Sequence, residues 1–385
     1  MKSNSSNPVS DTKGSDTNST NLSAPLIFLT GGGTAGHVTP NIALIEALSA
    51  ENWRIEYVGS HGGIEKSMIE PLGIVFHGIA SGKLRRYFSW QNFIDPIYIL
   101  WGLMQSVYLC LRYRPKLVFS KGGFVAVPLV FAAWLCRIPI ICHESDITPG
   151  LANKLSFPFA RHICLNFPQT KKYLRSGKLL VTGTPIRRSI VEGDASRGLS
   201  FLGFDKAIDK ANDKERKVLL VFGGSLGAEV INSCVRVLVP DLIDSYQIVH
   251  IVGKGNLDDQ LTSMTTYKQF EFLQEEFGDV LAAADVVISR AGANSIYELL
   301  ATRKPHILIP LSSMASRGDQ IINAEIFKGE GMSMVIAEED LNPTLLASRL
   351  EELTLKAESH QSRLTEFEIP DTLSIIRKLI SNTVK

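Results

Sequence analysis

The feature that most constrains this chain is a unit of buried strand, glycine turn and helix start that occurs twice. Near the beginning, Ile27-Phe28-Leu29-Thr30 runs into Gly31-Gly32-Gly33-Thr34-Ala35-Gly36. In the second half, Val218-Leu219-Leu220-Val221-Phe222 runs into Gly223-Gly224-Ser225-Leu226-Gly227-Ala228. A short continuous apolar run suits a strand covered on both faces, the situation of parallel sheets. Glycines at the turn let backbone N–H groups approach an anion at a helix N-terminus. Two such units imply an α/β chain of two Rossmann-like, doubly wound parallel-sheet domains facing across a cleft. Ligands of such sheets bind at the carboxyl ends of the strands.

The rest of the pattern agrees. In the first half, strands are expected at Leu26–Leu29, Ile55–Val58, Lys116–Phe119, Ile138–Cys142 and His162–Leu165, with helices at Pro40–Ala50 and Val127–Cys136. In the second, strands are expected at Val218–Phe222, Gln247–Val252, Phe270–Phe272, Val286–Ser289 and His306–Pro310. Helices follow at Ala228–Val239, Ser295–Thr302 and Gln320–Phe327, and an amphipathic one near Leu373–Asn382 closes the chain. The charged stretch around Val191–Lys217 marks a boundary. The expected organisation is a tail 1–23, a first domain 24–190, a linker 191–216, a second domain 217–360 and a closing helix within 361–385.

Composition narrows the function. A net charge of +1 gives no bulk field for a nucleic-acid partner. The five cysteines sit mostly in apolar runs without C-x-x-C spacing, which disfavours a disulfide framework or a zinc site. Residues 1–23, nearly all small and polar, hold too little apolar area to offset ordering and lack the apolar centre of a signal peptide. The most apolar helical stretch, Ile97–Leu111, is interrupted by Gln105 and falls short of the ~20 residues that span a bilayer. Upstream, Lys83-Leu84-Arg85-Arg86-Tyr87-Phe88-Ser89-Trp90 and Phe93-Ile94 interleave cations with aromatics. That suits an anionic membrane surface, and a plain loop docked on the body fits as well.

Several positions invite chemistry, each beside a simpler role. Gly31-x-Gly33-x-x-Gly36 formally matches a dinucleotide fingerprint, but the next strand, Ile55-Glu56-Tyr57-Val58, ends without the acidic residue a ribose needs. A tight turn without ligand is the alternative. His37 opens the following helix, either as structure or as a proton acceptor near neutral pH. Glu298 lies one turn into the helix after Arg290-Ala291-Gly292-Ala293-Asn294-Ser295, placed for two sugar hydroxyls or simply for the helix dipole. Gln320 and Asn323 put two amides on one helix face, which suits sugar hydroxyls, while Asp319 suits a plain cap.

Taken in order, Gly31–Asn41 (GGGTAGHVTPN), Ser81–Phe88 (SGKLRRYF), Lys121–Val127 (KGGFVAV) and His143–Lys154 (HESDITPGLANK) resemble one family. Gly183–Arg188 (GTPIRR), Gly223–Ala228 (GGSLGA), Arg290–Glu298 and Ser316–Ala324 (SRGDQIINA) complete the set. It is the MurG family, undecaprenyldiphospho-muramoylpentapeptide β-N-acetylglucosaminyltransferases. The resemblance implies a GT-B fold and inverting transfer of GlcNAc from UDP-GlcNAc to the lipid-linked MurNAc-pentapeptide, by a peripheral protein on the cytoplasmic membrane face. It implies that Ser225, the Gly223–Gly227 backbone and Arg187 hold the diphosphate, Leu273 presents backbone to uracil, and Glu298 takes the ribose hydroxyls. Gln320 and Asn323 would read GlcNAc, Thr34, Ala35 and Gly36 would line the acceptor side, and His37 would be the base.

The chain departs from the family in places. Many members carry Gln and Asn where Ser145-Asp146 stands, and the loop Ser312–Asp319 is slightly longer than in many relatives. No D-x-D run suggests a catalytic divalent ion, so metal-independent chemistry without a cofactor is expected. Three rivals remain at this stage: a UDP-sugar transferase for another lipid acceptor, a nucleotide-sugar-binding regulator without turnover, and a nicotinamide oxidoreductase.

Overall fold

The computed structural model describes residues 24–82, 91–175, 177–204, 208–209, 214–224, 227–261, 264–314 and 317–384. Ser225, the tail 1–23 and the patch Lys83–Trp90 lie outside them.

Two parallel sheets carry the molecule. The first has seven strands, β1 (Leu26–Thr30), β2 (Arg54–Ser60), β3 (Val75–Ile79), β4 (Leu117–Ser120), β5 (Ile140–Glu144), β6 (His162–Leu165) and β7 (Leu179–Val181), in the order β3-β2-β1-β4-β5-β6-β7. The second has six, β8 (Lys217–Phe222), β9 (Tyr246–Ile251), β10 (Tyr267–Phe270), β11 (Val286–Ser289), β12 (His306–Leu308) and β13 (Met334–Val335), in the order β10-β9-β8-β11-β12-β13. Both follow the 3-2-1-4-5-6 winding of nucleotide-binding sheets. The central strands β1, β4 and β11 are buried along their whole length, which explains their unbroken apolar runs.

The edges are where sequence patterning misleads. β3 and β7 leave no clear strand signal in the sequence, because both are partly exposed edge strands that need no continuous apolar run. The strand expected at Phe270–Phe272 is β10, which ends where Phe270 pairs with Ile251, leaving Phe272 exposed. The helix expected from Pro40 starts at Ala35 and runs to Ser49 with Pro40 inside it. Proline has no N–H to give the carbonyl of Gly36, four residues back. That carbonyl instead accepts from Asn294 Nδ2 of the second domain at 2.7 Å. A local defect in one helix thus becomes a contact between domains.

Two apolar clusters flank the first sheet and two the second. One of the latter reaches across. Ile147, Phe167 and Ile190 of the first half pack with Tyr297 and Phe327 of the second, and the Phe167 ring lies 5.2 Å from that of Phe327. Within the span 191–216, the helix Ala195–Leu202 packs on the helix Phe277–Ala283. A Cβ on its Gly198 would stand 2.2 Å from the Asp279 carbonyl oxygen. The last helix, Thr372–Val384, inserts Ile376 and Ile380 into the core of the first sheet, and Arg377 pairs with Glu51.

Candidate functional site

In each sheet the winding reverses between two neighbours, β1 and β4 in the first and β8 and β11 in the second. Loops leaving such a pair turn to opposite faces and open a crevice at the strand ends. These loops are the two glycine turns, Lys121-Gly122-Gly123 after β4, and Arg290–Asn294 after β11. The two crevices face each other, as the Asn294–Gly36 bond shows.

The first glycine loop is bound from below. Tyr57 Oη donates to the Gly31 carbonyl at 2.5 Å, Gly32 N–H to Gly122 O at 3.3 Å, and Gly33 N–H to Glu65 Oε2 at 3.2 Å. Gly33 adopts φ +87°, a conformation that favours glycine. Glu65 is fully buried and also accepts from the Ser60 N–H and hydroxyl. A carboxylate therefore already occupies an amide that an anion would otherwise claim. Thr34 caps the helix through its backbone position alone, and Thr34 and Gly36 are exposed. Ala35 and His37, next along the helix, are half-buried.

His37 Nδ1 stands 3.2 Å from the Lys121 carbonyl. A carbonyl only accepts, so Nδ1 carries the proton and Nε2 is the basic nitrogen. Burial, with the Lys121 ammonium beside it, pulls the imidazole down to about 4, so it is neutral at physiological pH.

Beneath His37 lies a polar cluster that sequence reasoning missed. Lys121, His143 and Glu144 are buried, and Glu144 accepts from the N–H groups of Asp146 and Gly150 and from Asn153 Nδ2. Their motifs were visible, but nothing in a sequence period marks a lysine as interior. Asp146 reaches across the crevice to Asn323 Nδ2 at 3.2 Å and Arg317 Nη2 at 3.3 Å. Burial, then the charges of Glu144 and Asp319, push its carboxyl up to about 7.

The second domain gathers the other expected residues, some of them already engaged. Arg187 Nη1 donates to the Gln274 carbonyl at 3.4 Å, next to Leu273, while its Nε is buried with no hydrogen-bond partner among the described residues. Glu298 is half-buried, its carboxyl pushed up to about 7 by burial and drawn down by the charge of Arg187. Arg187, Leu273 and Glu298 thus belong to one neighbourhood. Gln320 Oε1 accepts from Leu311 N–H at 3.0 Å, leaving its Nε2 as the group to offer a sugar. Asn323 is fully buried and committed, accepting from Ile147 N–H at 3.3 Å and donating to Asp146 and the Ala291 carbonyl. It thereby clasps the two domains.

Residues 27–165 match the glycosyltransferase family 28 N-terminal domain, and residues 218–377 match the C-terminal domain of the same family. The chain is 51% identical over 358 residues to the UDP-N-acetylglucosamine–N-acetylmuramyl-(pentapeptide) pyrophosphoryl-undecaprenol N-acetylglucosamine transferase of Legionella pneumophila (strain Lens), covering 93% of this chain and 96% of that one. It is 46% identical over 355 residues to the second such transferase of Bacillus cereus, covering 92% and 99%. Among solved structures, Acinetobacter baumannii MurG superposes with a TM-score of 0.71 at 20% identity, over 93% of this chain and 99% of that one. The calicheamicin glycosyltransferase CalG4 superposes at 0.66 and 14% identity, over 94% and 98%. These likenesses establish the GT-B fold.

Proposed function

The chain belongs to glycosyltransferase family 28, and from that premise we propose that it moves GlcNAc from UDP-GlcNAc to the 4-hydroxyl of undecaprenyl-diphospho-MurNAc-pentapeptide. The product is the lipid-linked disaccharide precursor of peptidoglycan. The observation that carries this reading is 46–51% identity, over 92–93% of this chain, to transferases named for that reaction. Its test is whether UDP release from UDP-GlcNAc requires the lipid-linked acceptor.

Inverting transfer needs a base for the acceptor hydroxyl, a pocket for the sugar and stabilisation of the departing diphosphate. The second glycine loop, with Ser225 and Arg187, takes the diphosphate. The buried Nε of Arg187, without a hydrogen-bond partner among the described residues, supports this, since a phosphate oxygen would satisfy it. Leu273 presents backbone to uracil, and Glu298 takes the ribose hydroxyls. The first loop, its Gly33 amide already held by Glu65, is left to the acceptor, lined by Thr34, Ala35 and Gly36. His37, neutral with Nε2 bare, receives the proton. Gln320 and Asn323 read GlcNAc, and Asn323 does so once the Asp146 bond releases it.

The Glu298 assignment has a pH signature. Its carboxyl, raised to about 7, is ionised above that value and accepts two hydroxyls; below it, the protonated acid loses acceptor capacity. The KM for UDP-GlcNAc should rise several-fold as pH falls from about 8 to about 6, and Glu298→Gln should flatten the dependence. An identical slope in that variant removes Glu298 from the ribose.

We also place the protein peripherally on the cytoplasmic face of the membrane. Gln105 of the helix Gln91–Tyr113 turns inward, accepting from Ala80 N–H at 2.7 Å. The opposite face exposes Ile97, Leu100, Trp101, Met104, Tyr108 and Leu111 at helical spacing, with Arg112 and Arg114 at the end. Among the described residues no helix is long and apolar enough to cross a membrane. Replacing Leu100 and Trp101 by serine should reduce co-sedimentation with anionic vesicles; unchanged binding would place the contact elsewhere.

A further inference from the structure

Lys121 is a fully buried cation of the first domain whose side chain the proposed reaction does not use. It follows β4 at the switch point and has no exposed surface. An ammonium taken out of water is tolerated only where acceptors and opposite charge meet it. Here Nζ donates to Ser145 Oγ at 2.6 Å and Thr184 Oγ1 at 3.1 Å, and lies 2.7 Å from His143 Nδ1. His143 Nε2 stands 2.8 Å from the Gly183 carbonyl, so Nε2 holds the ring proton and Nδ1 accepts. All three ammonium protons therefore have acceptors. Burial draws the lysine down to about 7, while Glu144 and Asp146 favour its charge.

The main chain of Lys121 is fixed as well, its N–H donating to Thr30 O at 2.8 Å. Its carbonyl then receives His37 Nδ1. We propose that Lys121 is a positioning residue for His37: its buried ammonium ties together β5 and the segments after β4, β5 and β7, and so fixes the carbonyl that holds the imidazole with Nε2 bare. This rests on His37 being the base. Ser145-Asp146, directly after β5, suits that ammonium. A short hydroxyl fits against the ammonium, and the charge of Asp146, after that of Glu144, favours its protonated form.

A double-mutant cycle tests it, with kcat, both KM values and Tm measured for the wild type, Lys121→Met, His37→Ala and the pair. Lys121→Met should lower kcat roughly 10²-fold, the cost of a misplaced catalytic group, with the KM for UDP-GlcNAc within about twofold. In the His37→Ala background the same change should cost nothing further. A full loss from Lys121→Met in that background, or no loss in the wild type, overturns the proposal and leaves the base assignment standing. Wild-type kcat in His37→Ala instead overturns the base assignment itself. If Lys121→Met does not fold, Ser145→Ala removes one acceptor and no charge. It should lower kcat several-fold only when His37 is present; a loss independent of His37, or none, overturns the proposal.

Discussion

Replacing His37 with alanine should lower kcat for GlcNAc transfer by roughly 10²–10⁴-fold, the usual contribution of a general base, with little change in either KM. The imidazole is half-buried, neutral and locked in one tautomer by the Lys121 carbonyl. Its low proton affinity, about 4, keeps it in the basic form throughout the physiological range. The sign follows from the direction of the shift: a histidine pulled down is charged only below that value. Activity should therefore show no acidic limb near the ordinary histidine value of about 6.5 that His37→Ala would abolish. Near-normal turnover of His37→Ala with both substrates saturating would remove it from proton transfer.

The second large effect is expected at Gly227. Its φ of +77° lies in the left-handed region, and a Cβ there would stand 2.1 Å from the Val252 carbonyl oxygen, a backbone atom with no freedom to step aside. Gly227→Ala combines a left-handed penalty of about 1–2 kcal/mol with an overpacking cost of about 1–3 kcal/mol. The strain should appear as a lower Tm, a raised KM for UDP-GlcNAc, or both, because this loop is assigned to the diphosphate. Gly224→Ala is the control. Its φ is +93°, but among the described residues a Cβ there meets nothing within 4 Å, so the backbone penalty is the expected cost. Equal effects at the two positions would mean that the approach to Val252 is not what requires glycine at Gly227.

How far the sequence could be read depended on whether a residue's partner lay nearby in the chain. The repeated strand–glycine–helix unit was legible because burial on both faces leaves an apolar run, as in β1 and β11. β3 and β7, half-covered at the edges, left none. The helix Pro343–Leu355 carries a local signal of its own: Asn342 caps it by accepting from Leu345 N–H, and Pro343 follows at the first position. Pro40, read as a helix start, sits inside a helix because a side chain 258 residues away from Gly36 takes the carbonyl it leaves free. Asn323 had the right chemistry for a sugar, yet its engagement by Asp146, 177 residues away, is visible only in three dimensions. Lys121 shows the same limit, since its burial depends on acceptors from separate segments.

The division of labour between the two glycine loops rests on transfer to a lipid-linked muramoyl acceptor. Purified protein with labelled UDP-GlcNAc, with and without undecaprenyl-diphospho-MurNAc-pentapeptide, measures it directly. UDP should appear in proportion to a lipid-linked disaccharide carrying the label, and only when the acceptor is present. Tight binding of UDP-GlcNAc with no UDP released in the presence of acceptor would contradict it, as would transfer to a different lipid in preference.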